Sequence, residues 1–239
     1  MNAETREVES PETVTQSLSE VVYSQLRSSL MRAELKPHER LKVRDLARRM
    51  GTSETPVREA LFQLAHEGAI EIRPRYYIRV RRLSAREYIE IRDIRMNLEP
   101  MAAERALPLI TDTVIDELAE THEILIAAEK EHNWQTALQA NFSFHFGLYA
   151  RCGMPTLNEL LESLWIRIGP VLSELYPDAH PRYAARHQHL NVIEALRTRD
   201  AYSLREAIRL DLFEGGQNLL RHLHEHDTRE ATEQRPRRA

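Results

Sequence analysis

The residues best suited to chemistry lie in the stretch GTSETPVREALFQLAHEGAI, at positions 51–70. A polar cluster with Ser53 and Thr55 leads there into an apolar-periodic run, and Arg58 falls in its first turn. Because a cation near a helix N-terminus is mildly unfavourable, Arg58 is expected to have a partner outside its helix. Hydroxyl groups bind phosphate oxygens, and arginine binds phosphate or a guanine edge. The stretch therefore favours a nucleic-acid interface.

The same stretch predicts how the helix begins. The Thr55 hydroxyl can cap it, and Pro56 suits the first helical position because its missing donor is not needed there. The predicted buried stripe that follows comprises Ala60, Leu61, Leu64 and Ala65.

A second candidate site centres on Asn141 and His145, which are four residues apart and share one helical face. Three phenylalanines, Phe142, Phe144 and Phe146, surround them with apolar surface. A histidine in such a setting is more often a hydrogen-bonded core residue than a metal ligand. From the residues alone, both interpretations stay open.

The elements that carry these residues are predicted to be mainly helical. Seven glycines and 6% aromatic residues argue against an all-β fold, and abundant Leu, Ala, Glu and Arg favour helices. No apolar run is long enough to span a membrane. The polar, acidic N-terminus does not resemble a signal peptide, so a cytoplasmic protein without a membrane partner is expected.

The pattern divides the chain into four parts. We predict a disordered N-terminus at 1–15, a winged helix-turn-helix at 16–83, an all-helical antiparallel bundle at 84–225 and a flexible tail at 226–239. Ser84 opens the bundle with a capping box. The predicted helices of the bundle are 85–107, 113–132, 133–152, 156–176, 181–198 and 201–223. Pro100 and Gly169-Pro170 are expected to kink or interrupt them.

Charge is distributed unevenly between the predicted domains. Residues 20–86 contain 15 lysines and arginines against 8 acidic residues, whereas residues 87–239 contain 17 against 25. This asymmetry suggests that only the first part meets a polyanion, although an uneven and inert surface would look the same.

The segment ERLKVRDLARRMGTSETPVREALFQLAHEGAI resembles the winged helix-turn-helix of GntR-type bacterial transcription regulators. The resemblance implies a double-stranded DNA operator as partner. It implies DNA contacts by Arg44, Ser53, Glu54, Thr55 and Arg58, with a solvated helix-end arginine as the alternative for Arg44. Many relatives carry arginine or another hydrogen-bond donor at the position of Glu54. We therefore expect the operator preference of this chain to differ from the common family consensus. The wing of the relatives usually has a glycine at the position of Tyr77. Because tyrosine does not readily adopt the positive φ that glycine allows in a turn, we expect a reshaped wing tip.

The second part resembles the FCD effector domain of the FadR subfamily, through RMNLEPMAAERA, NFSFHFGLYARCG and HLNVIEALRTRDAYSLREAIRLDL. Many relatives bind a divalent metal, and the matching ligand positions here are Asn141, His145, His189 and Asp211. Zinc, nickel or manganese is expected there, with Asn141 as a weak ligand or none. A metal-free pocket is the alternative. His187 is the alternative to His189 as a ligand, but the family motif aligns better with His189. The histidines of 222–226 are expected to be exposed.

Arg95 occupies the arginine position of the R-x-x-L-E motif, where the resemblance implies that it faces the effector pocket. A guanidinium suits a carboxylate, so a small anionic metabolite is expected. An ion pair between Arg95 and Glu99 is the alternative.

These observations together predict a homodimeric, ligand-responsive transcription regulator that binds a palindromic operator. The resemblance to the family favours a repressor over an activator. The main alternative is a metal-dependent enzyme that uses His145, His189 and Asp211. It lacks an identifiable general base or nucleophile. A helical interaction protein that does not bind DNA would leave Thr55, Pro56 and Arg58 unexplained.

Overall fold

The computed structural model describes residues 17–233, most of which are helical. The predicted disorder at 1–15 lies outside the described residues. The helices are α1 (Leu18–Met31), α2 (Val43–Arg49), α3 (Glu54–His66), α4 (Ala85–Ala106), α5 (Asp112–Lys130), α6 (Trp134–Tyr149), α7 (Pro155–Leu172), α8 (Gln188–Thr198), α9 (Ala201–Gly215) and α10 (Gln217–Glu233). The strands are β1 (Ile70–Arg73) and β2 (Tyr77–Val80).

Helices α1 to α3 and the two strands form the predicted winged helix-turn-helix, which we call the head. Its first helix begins at a capping box, in which Ser17 accepts from the Glu20 N–H and Glu20 accepts from the Ser17 N–H. The strands pair antiparallel, with Ile70 opposite Val80, and form the wing. Apolar residues of all three helices meet in one core. This confirms the fold predicted for the head.

Helix α7, from the second part of the chain, completes the core of the head. Trp165 and Ile166 are buried among the apolar residues of α1, α2, α3 and the strands. The backbones of α1 and α7 approach closely at Gly169, where an added Cβ would clash with the carbonyl oxygen of Leu30. The head therefore packs directly on a helix of the second part of the chain.

Helices α4 to α10 form the second, all-helical part, which the sequence predicted. The capping box at its start is present, because Ser84 accepts from the Glu87 N–H and Glu87 accepts from the Ser84 N–H. Pro100 and Pro170 lie inside α4 and α7, so neither proline interrupts its helix, whereas a kink at either one stays a prediction. Within residues 17–233, no helix is long and apolar enough to cross a membrane.

Two predicted boundaries are wrong. The helix predicted at 181–198 begins at Gln188 instead, and residues 184–186 before it are exposed. A segment without a buried face lacks the tertiary packing that stabilises short helices. The helix predicted at 201–223 ends at Gly215, and α10 begins at Gln217.

The tail predicted to be flexible from residue 226 is helical as far as Glu233. Leu219 and Leu223 of α10 are fully buried. Asp227 accepts a hydrogen bond from the Ala85 N–H at the start of α4, over 2.8 Å. Packing and this capping contact tie α10 to the domain, although its last residues look polar in sequence.

Candidate functional site

Helix α3 presents its N-terminus at the surface of the head. The helix begins at Glu54 with Ser53 as N-cap, so the predicted cap at Thr55 is wrong by two residues. Pro56 lies in the third helical position, where its missing N–H is still one that an α-helix leaves unpaired. Ser53 makes no side-chain capping bond, and both Ser53 and Thr55 are exposed. Their hydroxyl groups face solvent at the end of a helix that attracts anions.

Glu54 lies between two arginines at this surface. Its carboxylate accepts from Arg58 Nη2 over 2.9 Å and lies 3.8 Å from Arg44 Nε. Arg58 thus has a partner within its own helix in the free protein, because a Glu four residues before an Arg is a favourable pair, and its contact outside the helix stays a prediction. Both ion pairs are exposed, and exposed pairs contribute little to stability, so phosphate or a base can replace the carboxylate.

The wing turns at Arg75. Arg75 adopts a φ of 67°, whereas Tyr77 lies within β2, opposite Arg73. The residue in the left-handed conformation thus stands two positions before Tyr77, which is itself extended. Tyr76 is exposed beside it, and the Arg73 guanidinium lies 4.7 Å from the centre of its ring. The wing tip is consequently basic and aromatic.

A cavity of about 60 Å³ lies inside the helical part of the chain. Helices α4, α6, α7 and α9 contribute Arg95, Asn141, His145, Trp165 and Asp211 to its wall. Arg95, Asn141, His145 and Asp211, predicted on three separate segments, thus share one cavity. His189 lies behind this wall, fully buried and stacked on Phe144 at a ring-centroid distance of 3.7 Å.

Arg95 does face this cavity, and it is also paired with Glu99. Its Nε donates to Glu99 Oε1 over 2.6 Å, and both side chains are almost fully buried. Glu99 accepts further bonds from the Trp165 indole N–H and the Tyr149 hydroxyl, each over 2.8 Å. The two interpretations of Arg95 are therefore compatible: the ion pair holds the guanidinium at the cavity wall.

His145, His189 and Asp211 form a compact group that could hold a metal ion. One ligand atom from each lies within 4.8 Å of the others, and all three are buried. His145 Nε2 is 3.3 Å from Asp211 Oδ2, and His189 Nε2 is 4.0 Å from Asp211 Oδ1. Tyr183 donates its hydroxyl to the same carboxylate over 3.3 Å.

The hydrogen bonds of His145 test whether a cation fits this group. Tyr149 donates its hydroxyl to Glu99, so its oxygen accepts from His145 Nδ1–H at 3.0 Å. The other nitrogen, Nε2, then meets the Asp211 carboxylate either as an N–H of an imidazolium or as a lone pair with a cation between them. A metal-ligating histidine typically donates its second nitrogen in this way.

His189 gives a second indication of the same kind. Both of its ring nitrogens are buried without a hydrogen-bond partner in the described chain, although buried polar atoms are normally paired. Burial lowers the pKa of His189 well below its usual value, so the ring is neutral and offers a lone pair. Burial raises the pKa of Asp211, but the hydrogen bond with His145 counteracts it, and that pKa lies below its usual range. The residues present therefore fit a divalent metal ion.

Two further histidines lie beside this group. His122 of α5 and His187, the N-cap of α8, join His189 in a second set of three potential ligands. His187 is thus a neighbour of His189 rather than a substitute for it. The sequence does indicate that His122 is buried, because it follows Ile115 and Leu118 at helical spacing on one face of α5. The α10 histidines join no such group within residues 17–233.

A winged helix-turn-helix joined to a helical domain with a polar cavity defines the class of ligand-responsive DNA-binding proteins, and comparison with known proteins agrees. Residues 18–80 match the family described as bacterial regulatory proteins, gntR family. Residues 90–213 match the FCD domain.

Individual relatives cover most of the chain. The HTH-type transcriptional regulator McbR of Escherichia coli (strain K12) is 34% identical over 195 residues, which cover 80% of this chain and 88% of that protein. The HTH-type transcriptional repressor GlaR of the same strain is 29% identical over 207 residues, which cover 80% of this chain and 90% of that protein. The solved structure of E. coli McbR/YncC matches with a TM-score of 0.76 and 31% identity, covering 89% of this chain and 100% of that one.

The chain belongs to the GntR family of transcription regulators and carries an FCD effector domain. Members of this family are regulators rather than enzymes, which decides against the alternative of a metal-dependent enzyme.

Proposed function

We propose that this regulator is a homodimeric cytoplasmic repressor that binds a palindromic operator and responds to a small carboxylate metabolite. The observation that carries this proposal is the double position of Trp165. Its side chain lines the effector cavity and is also buried in the core of the head. A ligand that moves this indole acts on both sites.

Four side chains link the cavity to that core. His145 donates to Tyr149, Tyr149 donates to Glu99, and Glu99 also accepts from Trp165. The ring of Trp165 contacts Phe142 and Phe146, which pack against the core of the head. Packed cores tend to switch between discrete arrangements rather than deform gradually. This chain of contacts supports reciprocal coupling between effector and DNA.

For the DNA interface, we propose that Arg58 and Arg44 contact the operator while Ser53 and Thr55 bind phosphate. Glu54 holds both arginines at the surface in the free protein. On the operator it either releases them to phosphate or accepts from a cytosine amino group. Two heads related by a two-fold axis would read two matching half-sites.

For the effector site, we propose a divalent metal ion on His145, His189 and Asp211, with zinc, nickel or manganese as candidates. Asn141 lines the same cavity, and its neutral amide is the weakest of the four donors. The ion would attract an anionic ligand, and Arg95 would hold that ligand's carboxylate. The metal-free alternative keeps the same residues as direct hydrogen-bond partners of the metabolite.

The test is an operator-binding assay with metal-loaded and metal-free protein, screened against small mono- and dicarboxylates and matched neutral amides. We expect at least one carboxylate, and not its amide, to change the operator dissociation constant by about 5- to 150-fold, the usual range of allosteric coupling. A response to amides and acids alike would reject an anionic effector. Sedimentation of the complex measures the proposed dimer in the same samples.

A further inference from the structure

Three imidazoles converge on the side of His189 that faces α5. Ring centroids are 4.9 Å apart for His122 and His187, 5.5 Å for His122 and His189, and 4.3 Å for His187 and His189. The rings are inclined to each other by 63°, 69° and 56°, so they are not stacked. One nitrogen of each ring lies within 4.8 Å of the other two. Zinc–nitrogen bonds of about 2.0–2.1 Å are within reach after a small contraction of this group.

The hydrogen bonds of these rings leave several nitrogens unused. Nδ1 of His122 and both ring nitrogens of His189 are buried without a partner among the described residues. His187 Nδ1 accepts from the His189 backbone N–H over 3.2 Å, so the neutral ring carries its proton on Nε2 and must exchange this hydrogen bond for the metal ion to become a ligand. Buried polar atoms without partners call for a ligand. A cation satisfies several imidazole lone pairs at once.

We propose that His122, His187 and His189 form a second position for a zinc ion, alternative to the position at His145, His189 and Asp211. A neutral imidazole offers one lone pair, so His189 serves one ion at a time. The chain therefore binds a single ion in either of two places. Three imidazoles suit zinc, nickel or copper rather than magnesium or calcium, and they leave a coordination position open.

The two positions differ in charge and in the elements they join. The first contains the Asp211 carboxylate and joins α6, α8 and α9, whereas the second has only neutral ligands and joins α5 to α8. The ion keeps its full positive charge in the second position and attracts an anionic fourth ligand more strongly there. Because the Asp211 carboxylate is negatively charged, zinc should bind more tightly at the first position than at the second.

The test uses the full chain without an affinity tag, stripped of metal and titrated with zinc against a chromophoric chelator. The decisive variant is His145→Gln with Asp211→Asn, which leaves only the three-imidazole group. We expect this variant to bind about one equivalent of zinc, more weakly than the wild type. Adding His122→Gln must then abolish binding. The matched control adds His132→Gln, at an exposed histidine outside both groups, and must leave binding unchanged.

Each outcome bears on one position. If the His145→Gln, Asp211→Asn variant binds no zinc while the wild type does, the second position is rejected and the first retained. If adding His122→Gln leaves binding intact, other residues hold the ion and the second position is again rejected. Conversely, wild-type zinc affinity in the His145→Gln, Asp211→Asn variant would support the second position and reject the first.

A folding control keeps the test decisive. Thermal unfolding and operator binding report whether the variants stay folded. If the double variant unfolds, Asp211→Asn alone replaces it, because this change keeps the side-chain shape and removes only the charge. Zinc must then shift the ring nitrogen resonances of His122 and His187 in NMR spectra of ¹⁵N-histidine-labelled protein. Unshifted resonances at saturating zinc would overturn the proposal.

Discussion

Trp165 donates its indole N–H to the buried carboxylate of Glu99 over 2.8 Å. The indole also borders the cavity proposed to bind the effector, and its ring is buried in the core of the DNA-binding head. The Arg95 guanidinium lies over the same ring, 4.5 Å from its centre. One side chain thus contacts the predicted effector residue, the polar network and the head, which makes it the natural place to test coupling.

Replacing Trp165 by Phe removes the N–H donor but keeps an apolar ring in the core. We expect operator affinity in the ligand-free protein to stay within about threefold, because the head keeps its packing. The effector-dependent change in affinity should shrink by about fivefold or more, which corresponds to roughly 1 kcal/mol of coupling. Fluorescence anisotropy with labelled operator measures both quantities. Trp134→Phe, at the start of α6, is the matched control, and an equal loss of response in that variant would refute the role of Trp165.

Arg58→Ala should weaken operator binding by ~1–3 kcal/mol while the protein stays folded, since a side chain that reads a base or phosphate is lost. A gel shift at fixed salt measures the change. Arg86→Ala is the control, because it removes the same charge from an exposed position on α4. If the two variants lose affinity equally, the effect is one of net charge and Arg58 makes no specific contact.

Glu54→Arg should tighten binding to any DNA, because it removes the carboxylate that engages Arg44 and Arg58. The salt slope should steepen by up to about one unit if the new arginine takes a phosphate. The preferred base at one position of each half-site should also change. Glu59→Arg, an exposed position of the same helix, controls for charge alone. Identical preferred sequences in the wild type and the Glu54 variant would show that Glu54 reads no base.

Arg95→Ala should abolish the response to the effector and also destabilise the fold. The substitution leaves the Glu99 carboxylate buried without its cation, which typically costs ~3–5 kcal/mol. Adding Glu99→Gln should recover most of that loss without restoring the response. Denaturant unfolding provides the free energies. By comparison, Arg205→Ala breaks an exposed pair with Glu104 and should cost under ~1 kcal/mol. A retained effector response in the double variant would remove Arg95 from the effector site.

The metal assignment predicts that untagged protein, purified without chelator, contains a divalent metal or regains it when zinc, nickel or manganese is added. The His145→Ala, His189→Ala double variant should lose this metal, because His189 belongs to both ligand groups. Elemental analysis by mass spectrometry gives the content. An unchanged metal content in that variant would place the ion on other residues, such as the histidines of α10.

The sequence predicted what depends on local patterns. The Ser84 capping box, the helix carrying Arg58 and the i, i+4 pair of Asn141 and His145 all follow from residue types at fixed spacing, and the motifs identified the family. The position of Glu54 between two arginines was missed, because Arg44 comes from a different helix and only the fold brings it there.

Long-range packing accounts for the other differences. Helix α10 looks polar in sequence, yet Leu219, Leu223 and Asp227 attach it to α4 and the domain core. The contact between His122 and His189 joins helices that are distant in the chain. The indole of Trp165 lies on a helix of the second domain and is buried in the core of the DNA-binding head. Periodicity describes one helix at a time and contains no information about such partners.

The most direct test of the account is the selection of DNA fragments from a random pool by the wild-type protein, with Arg58→Ala and Arg86→Ala selected in parallel. We expect the wild type and Arg86→Ala to enrich the same inverted repeat, with two half-sites about one helical turn apart or a multiple of it. Arg58→Ala should enrich no repeat at the same salt. A wild-type motif without two-fold symmetry, or the same repeat selected by Arg58→Ala, would contradict the proposed dimeric readout.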